Sequence, residues 1–471
     1  MDNAIKTPNR TGILVRALIV LAMCGIVNSA AVFVSPMAKH FGWTTEAIAG
    51  VATYMAFMQT PGHILSGWLL GKIGAKKTLI LGCILLGLAF LLSGMVPSGS
   101  PWMLYITFSV LQGLGVGFTY TGSTYCATGW YPDKRGFASG LCMAFNGGSA
   151  TFLAPLIVKL IGSIGIIVTL YIVGGAIIVI GICAAIGLKS APVGYAPAGW
   201  KAKADDPKLA ATQLESLTPG QAFRTRGYWH LFLGYGLFPT MYIICYPRFS
   251  VLISDAGYSL NAATIGVSIY SICNVIGRFG MGALIDKLGY RKVYTICGIC
   301  SVASSLCLMF ANSLAMFYIA YVLLAVGFGA TNCCHPVAVQ ETYGSKYAGG
   351  IFGICMLGYM IICTFISPKI SSALVKATGS YTASMIYAII ACIIAVIFYT
   401  TIPQPKRRTL AEVAAEEKPR RRRPRRPDPR SIIRTPSSPH VCGMAGFPFL
   451  RSCRTVSGET DINTKGSILW A

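Results

Sequence analysis

The chain has 471 residues, 54% of them hydrophobic and only 11% charged, with a formal net charge of +24 and a mean hydropathy of +0.62. A water-soluble protein of this length carries about 25% charged residues to cover its surface, so this composition excludes one and makes lipid the solvent of most of the chain. The positive excess is not a nucleic-acid face either: it sits in short loops between apolar runs and in a tail that includes Arg420–Arg423, the distribution that sets membrane topology.

A spanning helix needs about 20 mostly apolar residues. Runs of that kind lie near 13–34, 46–70, 78–97, 101–127, 136–160 and 163–188, and again near 227–252, 261–285, 293–311, 315–340, 347–372 and 381–402. The first, Ile13 to Val34, is long enough to span and does not read as a cleavable signal. The expected fold is therefore an all-α membrane protein of twelve transmembrane helices in two pseudo-symmetric six-helix bundles. Its parts are an N-terminal bundle over 11–188, a polar linker over 189–226, a C-terminal bundle over 227–403 and a basic tail over 404–471. The linker carries Pro192, Pro197, Asp205, Asp206 and Pro207, with a short surface helix expected near Leu209–Leu217. The tail is rich in Pro and Arg and lacks periodicity, which predicts disorder. Its abrupt change of character also fits out-of-frame coding.

Orientation follows from Lys and Arg. The loops after spans 2, 4, 8 and 10 and the linker hold more of them than the opposite face, which has Lys39, Lys159, Arg248, Lys369 and Lys376. Basic loops face the cytoplasm. A multi-pass protein of the cytoplasmic (inner or plasma) membrane with both termini inside is the expectation. The 17 cysteines fall almost entirely in apolar runs, where they act as small hydrophobes. Cys297-x-x-Cys300 lacks a second ligand pair, so neither a metal nor a cofactor is expected.

One loop occurs twice. Between spans 2 and 3 the sequence runs Gly67-Trp-Leu-Leu-Gly71-Lys72-Ile-Gly74-Ala-Lys76-Lys77, and between spans 8 and 9 it runs Gly282-Ala-Leu-Ile-Asp286-Lys287-Leu-Gly289-Tyr-Arg291-Lys292. Each copy falls at the same place in its half, the mark of an internal duplication. Gly67 and Gly282 let a helix end approach its neighbour. Gly74 and Gly289 permit the tight turn that so short a loop demands. The basic residues can pair with acids or helix C-termini, so the loops can latch the halves together on one face.

These loops resemble the signature of the major facilitator superfamily, G-x-x-x-D-[R/K]-x-G-x-[R/K]-[R/K]. The second copy fits it fully; the first has Gly71 where an aspartate is expected, which implies a weaker latch in that half. Three further stretches resemble the oxalate/formate antiporter family and its monocarboxylate-porter relatives: Phe33-Val34-Ser35-Pro36 leading to Phe41-Gly42-Trp43, Gly129-Trp130-Tyr131-Pro132-Asp133-Lys134-Arg135-Gly136, and Asn274-x-x-Gly277-Arg278.

Arg278 is the one charge well inside an apolar span, where it costs at least about 2.5–3.5 kcal/mol on insertion scales. No Asp or Glu lies mid-span to pair with it, and a guanidinium fork matches a carboxylate. The resemblance implies that this arginine binds substrate. The family's oxalate carrier also has a lysine in helix 11; here Tyr359 falls near that place, and one deep cation suits a monocarboxylate better than a dicarboxylate. Asn28, Tyr120, Tyr125, Asn274 and His335 are the polar groups expected to complete the site, with the Gly113-x-Gly115-x-Gly117 run aiming the two tyrosines inward. Gln59, His63, Asn146 and Asn332 are further candidates. The function expected is secondary transport of a small organic anion by alternating access, as a monomer in the lipid bilayer. The alternatives are proton-driven drug efflux, against which the lack of a mid-membrane carboxylate argues, and a non-transporting sensor. No nucleophile–base set or nucleotide loop suggests an enzyme.

Overall fold

In lipid every backbone N–H and C=O must find its partner inside the chain, so the apolar runs have to become helices. A computed structural model describes residues 9–421 apart from 49, 198–199, 201–207 and 209–211. Among the described residues it is helical nearly throughout, with one isolated antiparallel bridge between Leu214 and Thr409.

Ten continuous helices among the described residues are long and apolar enough to cross a membrane, and local breaks account for the other two spans. Spans 2 and 3 form one helical run, Val51–Ser93, folded at Gly74, whose φ of 78° and ψ of 170° are not helical. Span 7 crosses as two pieces, Arg226–Leu237 and Thr240–Asp255, separated at Pro239. Span 1 is Arg10–Cys24, a 3₁₀ turn over Gly25–Ser29, and Ala30–Phe41. The turn has a steric cause: a β-carbon at Gly25 would fall on Ser149 and on the Asn146 carbonyl, so span 1 bends where it presses on span 5.

The remaining spans are span 4, ending in helix Gln112–Gly129, then Arg135–Ile164, Ile166–Ile186, Leu260–Leu288, Tyr290–Met309 and Leu314–Tyr343. Span 11 starts as Ala348–Gly358, turns π-helical over Tyr359–Ile366 and continues as Ser367–Thr378, and span 12 is Thr382–Thr400. The result is the twelve-helix fold of two pseudo-symmetric six-helix halves. Observed bounds differ from the hydropathy runs by a few residues, most at the end of span 1, where Met37 and Phe41 extend the helix past Pro36.

The linker leads into a short helix, Pro219–Phe223, opened by a capping box of Thr218 and Gln221. Of the expected surface helix, 209–211 lie outside the described residues, Thr212 and Gln213 are helical, and Leu214 instead pairs with Thr409. The expectation of a disordered tail fails over its first part: Arg407 donates to the Glu341 carbonyl at 2.9 Å, and Leu410–Arg421 is helical. Ion pairs explain the order here, since Arg408 reaches both Glu215 and Glu416 at 3.0 Å. Residues 422–471 lie outside the described residues. One compact unit runs to Glu417 and therefore holds all twelve spans.

Candidate functional site

Both halves meet along two glycine seams. At the first, Gly282 of span 8 lies against the Gly136 carbonyl and Gly140 of span 5; at the second, Gly67 of span 2 lies against the backbone of Gly349 and Gly350 of span 11. Any side chain at these positions would collide with backbone, so glycine sets the contact. Both seams lie toward the face that carries the basic loops. There Gly74 and Gly289 take φ of 78° and 80°, with ψ of 170° and 154°, a region essentially open to glycine alone.

Around these turns the signature residues divide by role. Asp286 accepts hydrogen bonds from the backbone N–H groups of Gly136 at 2.9 Å and Phe137 at 2.7 Å, closing off the first turn of span 5. A carboxylate there satisfies two orphan donors and meets the positive end of the helix dipole. Lys208 of the linker also pairs with Asp286 at 3.3 Å. Arg291 donates to the Ile402 carbonyl at 2.7 Å, just past the end of span 12. Lys72 lies 3.7 Å over the Trp68 ring, whereas Lys76, Lys77, Lys287 and Lys292 are exposed. Gly71, the counterpart of Asp286, only faces the Tyr347 ring, 3.5 Å from where its β-carbon would be.

Arg278 lies deeper along the first seam. Its Nη1 donates to the Met143 carbonyl at 2.8 Å, and its buried Nε has no acceptor. The guanidinium occupies space that a side chain at Gly147 would fill. Among the four ion pairs of the described residues, none involves Arg278. Its charge reaches the hydroxyls of Tyr120, Tyr235, Tyr242 and Tyr270. A half-satisfied guanidinium with no ion-paired carboxylate among the described residues has a donor to spare for an anion.

Of the polar groups expected beside it, some gather and some do not. Tyr120 donates to Met143 Sδ at 2.8 Å, so it shares a residue with Arg278. Its ring stacks near Phe352 at 6.1 Å; Tyr125 and His335 also approach Phe352, at 5.6 and 5.5 Å. His335 lies flat on Tyr235 at 3.8 Å, pairs through Nδ1 with the Tyr399 hydroxyl, and has a buried, unpartnered Nε2. Tyr359 meets the same Tyr235 at 5.7 Å, from the first residue of the π-helical stretch.

Two of the asparagines tie helices together. Asn274 donates to the Ala325 carbonyl at 3.0 Å, tying span 8 to span 10, and Asn28 donates to the Asn146 carbonyl at 3.1 Å. The glycine run of span 4 packs as its spacing suggests, with Gly113 against Met55 and Met58, Gly115 against Leu86, and Gly117 against Gly62 and His63.

Three contributors escaped the sequence reading. Phe352 joins the rings of both halves, with His63 on its other side at 5.7 Å. Gly147 makes room for the guanidinium, and its only trace in the sequence is the Gly147-Gly148 pair inside a helix that has no need of flexibility. Arg135 lies at the start of span 5 and is 1% exposed, a burial that a loop-end arginine does not announce.

Comparisons with known proteins agree with this architecture. The chain matches the family described as Major Facilitator Superfamily over residues 17–266 and 231–451. It is 25% identical over 427 residues to the oxalate:formate antiporter of Oxalobacter formigenes, covering 87% of this chain and 96% of that protein. It is 25% identical over 366 residues to monocarboxylate transporter 12 of Rattus norvegicus, covering 73% of this chain and 74% of the relative. The fold resembles the crystal structure of FucP in the outward conformation, with a TM-score of 0.64 at 15% identity over 83% of this chain and 99% of that one. With twelve spans in two halves, the repeated latch loop and a family match across both halves, the chain is a multi-pass member of the major facilitator superfamily, a family of membrane transporters.

Proposed function

We propose that the protein carries a small organic anion of the monocarboxylate class, bound between the halves at Arg278. The observation that carries this reading is the guanidinium itself: it lies mid-span, its Nε lacks an acceptor, no carboxylate pairs with it, and Gly147 gives it room. An arginine left in lipid without a counter-ion is costly, and a substrate carboxylate supplies one. Tyr120, Tyr359 and His335 stand around the same aromatic cluster and offer orienting hydrogen bonds. Tyr359, in place of a second cation, favours one carboxylate over two. The relatives named for oxalate:formate exchange and for monocarboxylate transport are both named for small carboxylates, the monocarboxylate formate among them.

Transport proceeds by alternating access, the bundle 11–188 rocking against 227–403 about the linker 189–226. The basic face is cytoplasmic, with both termini there. Glycine seams hold the halves together at that face in this conformation. The tail beyond 404 takes no part in the site, and a monomer suffices.

Counterflow in proteoliposomes with a panel of labelled carboxylates tests the reading. Arg278→Gln is expected to lower monocarboxylate exchange at least about 100-fold, since a charged bidentate contact is worth several kcal/mol. Exchange that survives the substitution unchanged would overturn the role of Arg278. Uptake of cationic drugs without any carboxylate would favour proton-driven efflux.

A further inference from the structure

A cavity of about 280 Å³ opens on the basic face, lined from both halves and the linker, with Gly71, Arg135, Thr212, Ser345 and Lys346 around it. Its position follows from the broken symmetry of the latch. Asp286 closes the first turn of span 5 with its two oxygens. At the matching seam Gly71 has no carboxylate to offer, and the first turn of span 11, beginning at Ala348, has no capping side chain. Gly71 itself lines this cavity.

Arg135 supplies the second, independent observation. It is 1% exposed, yet its Nε and Nη1 have no acceptor. Its Nη2 reaches only two hydroxyls, Thr212 and Ser345, each at 3.4 Å. Glu341 and Asp286 are the acids whose charge reaches it, but Asp286 is already committed to Gly136, Phe137 and Lys208. Burial first, and then the charge of Arg135, pulls the Arg407 guanidinium down to about 10. A buried guanidinium with two donors that lack acceptors, and Lys346 just ahead of the first turn of span 11, which has no side-chain cap, together form the donor set of an oxyanion site.

We propose that this cavity binds a small oxyanion, a carboxylate or inorganic phosphate, which takes the place of the missing acid at position 71 and completes the second latch. The ligand bridges Arg135 of one half and the start of span 11 of the other, so its binding holds the basic face shut. The site is separate from Arg278: the aromatic group of Tyr120, Tyr125 and Phe352 stands between them, with Tyr125 lining the cavity. The proposal stands whether or not Arg278 binds substrate.

Amide hydrogen exchange of the purified full-length protein over 345–351 reads the site directly. Formate, oxalate and phosphate are each compared with chloride at equal ionic strength. At four times its dissociation constant a ligand slows exchange through the unliganded state about fivefold. That slowing is expected in wild type and equally in Arg278→Gln, and it is expected to disappear in Arg135→Gln. In Gly71→Asp the segment is expected to be protected without added anion and to gain nothing from it. Protection by the carboxylates alone identifies the transported class as the ligand, and protection by phosphate alone identifies an inorganic one. No anion response in wild type overturns the proposal, as does a response kept by Arg135→Gln and lost in Arg278→Gln. If Arg135→Gln fails to fold, an undiminished anion response in Gly71→Asp overturns it.

Discussion

The two seams have the same backbone contact and different electrostatics. Gly282 against Gly136 and Gly140, and Gly67 against Gly349 and Gly350, place helix backbones in direct contact at matching positions of the two halves. Only the first is finished by a charge, with Asp286 on the N–H groups of Gly136 and Phe137. The difference separates two jobs that the repeated loop performs together: the glycines allow close approach, and the acid secures it once made. A seam with approach but no acid closes more weakly and is free to be governed by something else.

The largest effect is expected from removing the acid that exists. Asp286→Ala leaves two N–H groups at the start of span 5 without acceptors and removes the carboxylate that pairs with Lys208. Charge-assisted hydrogen bonds are worth about 1.5–3 kcal/mol each, and a net loss of about 3 kcal/mol would move the closed-to-open ratio about 100-fold. Spin-label distances between the exposed positions Lys76 and Lys292 should lengthen. An unchanged distribution would mean that the charge does not hold this seam.

A smaller and symmetric effect is expected from the glycines. A β-carbon at Gly282 would lie 2.6 Å from the Gly140 Cα, and at Gly67 it would overlap the Gly349 backbone. Overpacking of this kind costs about 1–3 kcal/mol. Gly67→Val and Gly282→Val should therefore open the basic face to similar degrees on the same pair of labels. A strongly unequal response would show that the seams differ sterically as well as electrostatically.

What could be read beforehand was whatever repeats or is local. Hydropathy located twelve spans, the duplicated loop pointed to the two turns beside the seams, and loop length required Gly74 and Gly289 to turn. Arg278 stood out because a charge in an apolar run has no local explanation. The rest depends on contacts between distant parts of the chain. Nothing near Gly147 says that a guanidinium 131 positions away fills its missing side chain, nor does a phenylalanine in an apolar run announce itself as Phe352 does in the fold. The contact of Asn274 is hidden for the same reason: nothing in span 8 alone shows that a carbonyl of span 10 takes its amide hydrogen bond. Gly25 bends span 1 without a proline because span 5 presses on it, a cause invisible in span 1 alone.

The smallest effect is also the sharpest test of the comparison. Gly71→Asp restores to span 2 the acid that span 8 has, aimed at the first turn of span 11. A carboxylate at a helix N-terminus contributes about 0.3–1 kcal/mol when exposed, and more when partly buried. The substituted protein should have a slightly higher melting temperature, and its counterflow rate should fall by a factor of about 2–5 as opening of the basic face slows. The double variant Gly71→Asp, Asp286→Gly moves the single charge from one seam to the other. If the loop acts only by capping whichever helix it faces, the double variant should transport closer to wild type than Asp286→Gly alone. If it does not, Asp286 has a task beyond its seam, and its side-chain ion pair with Lys208, which both variants remove, is the contact through which that task would run.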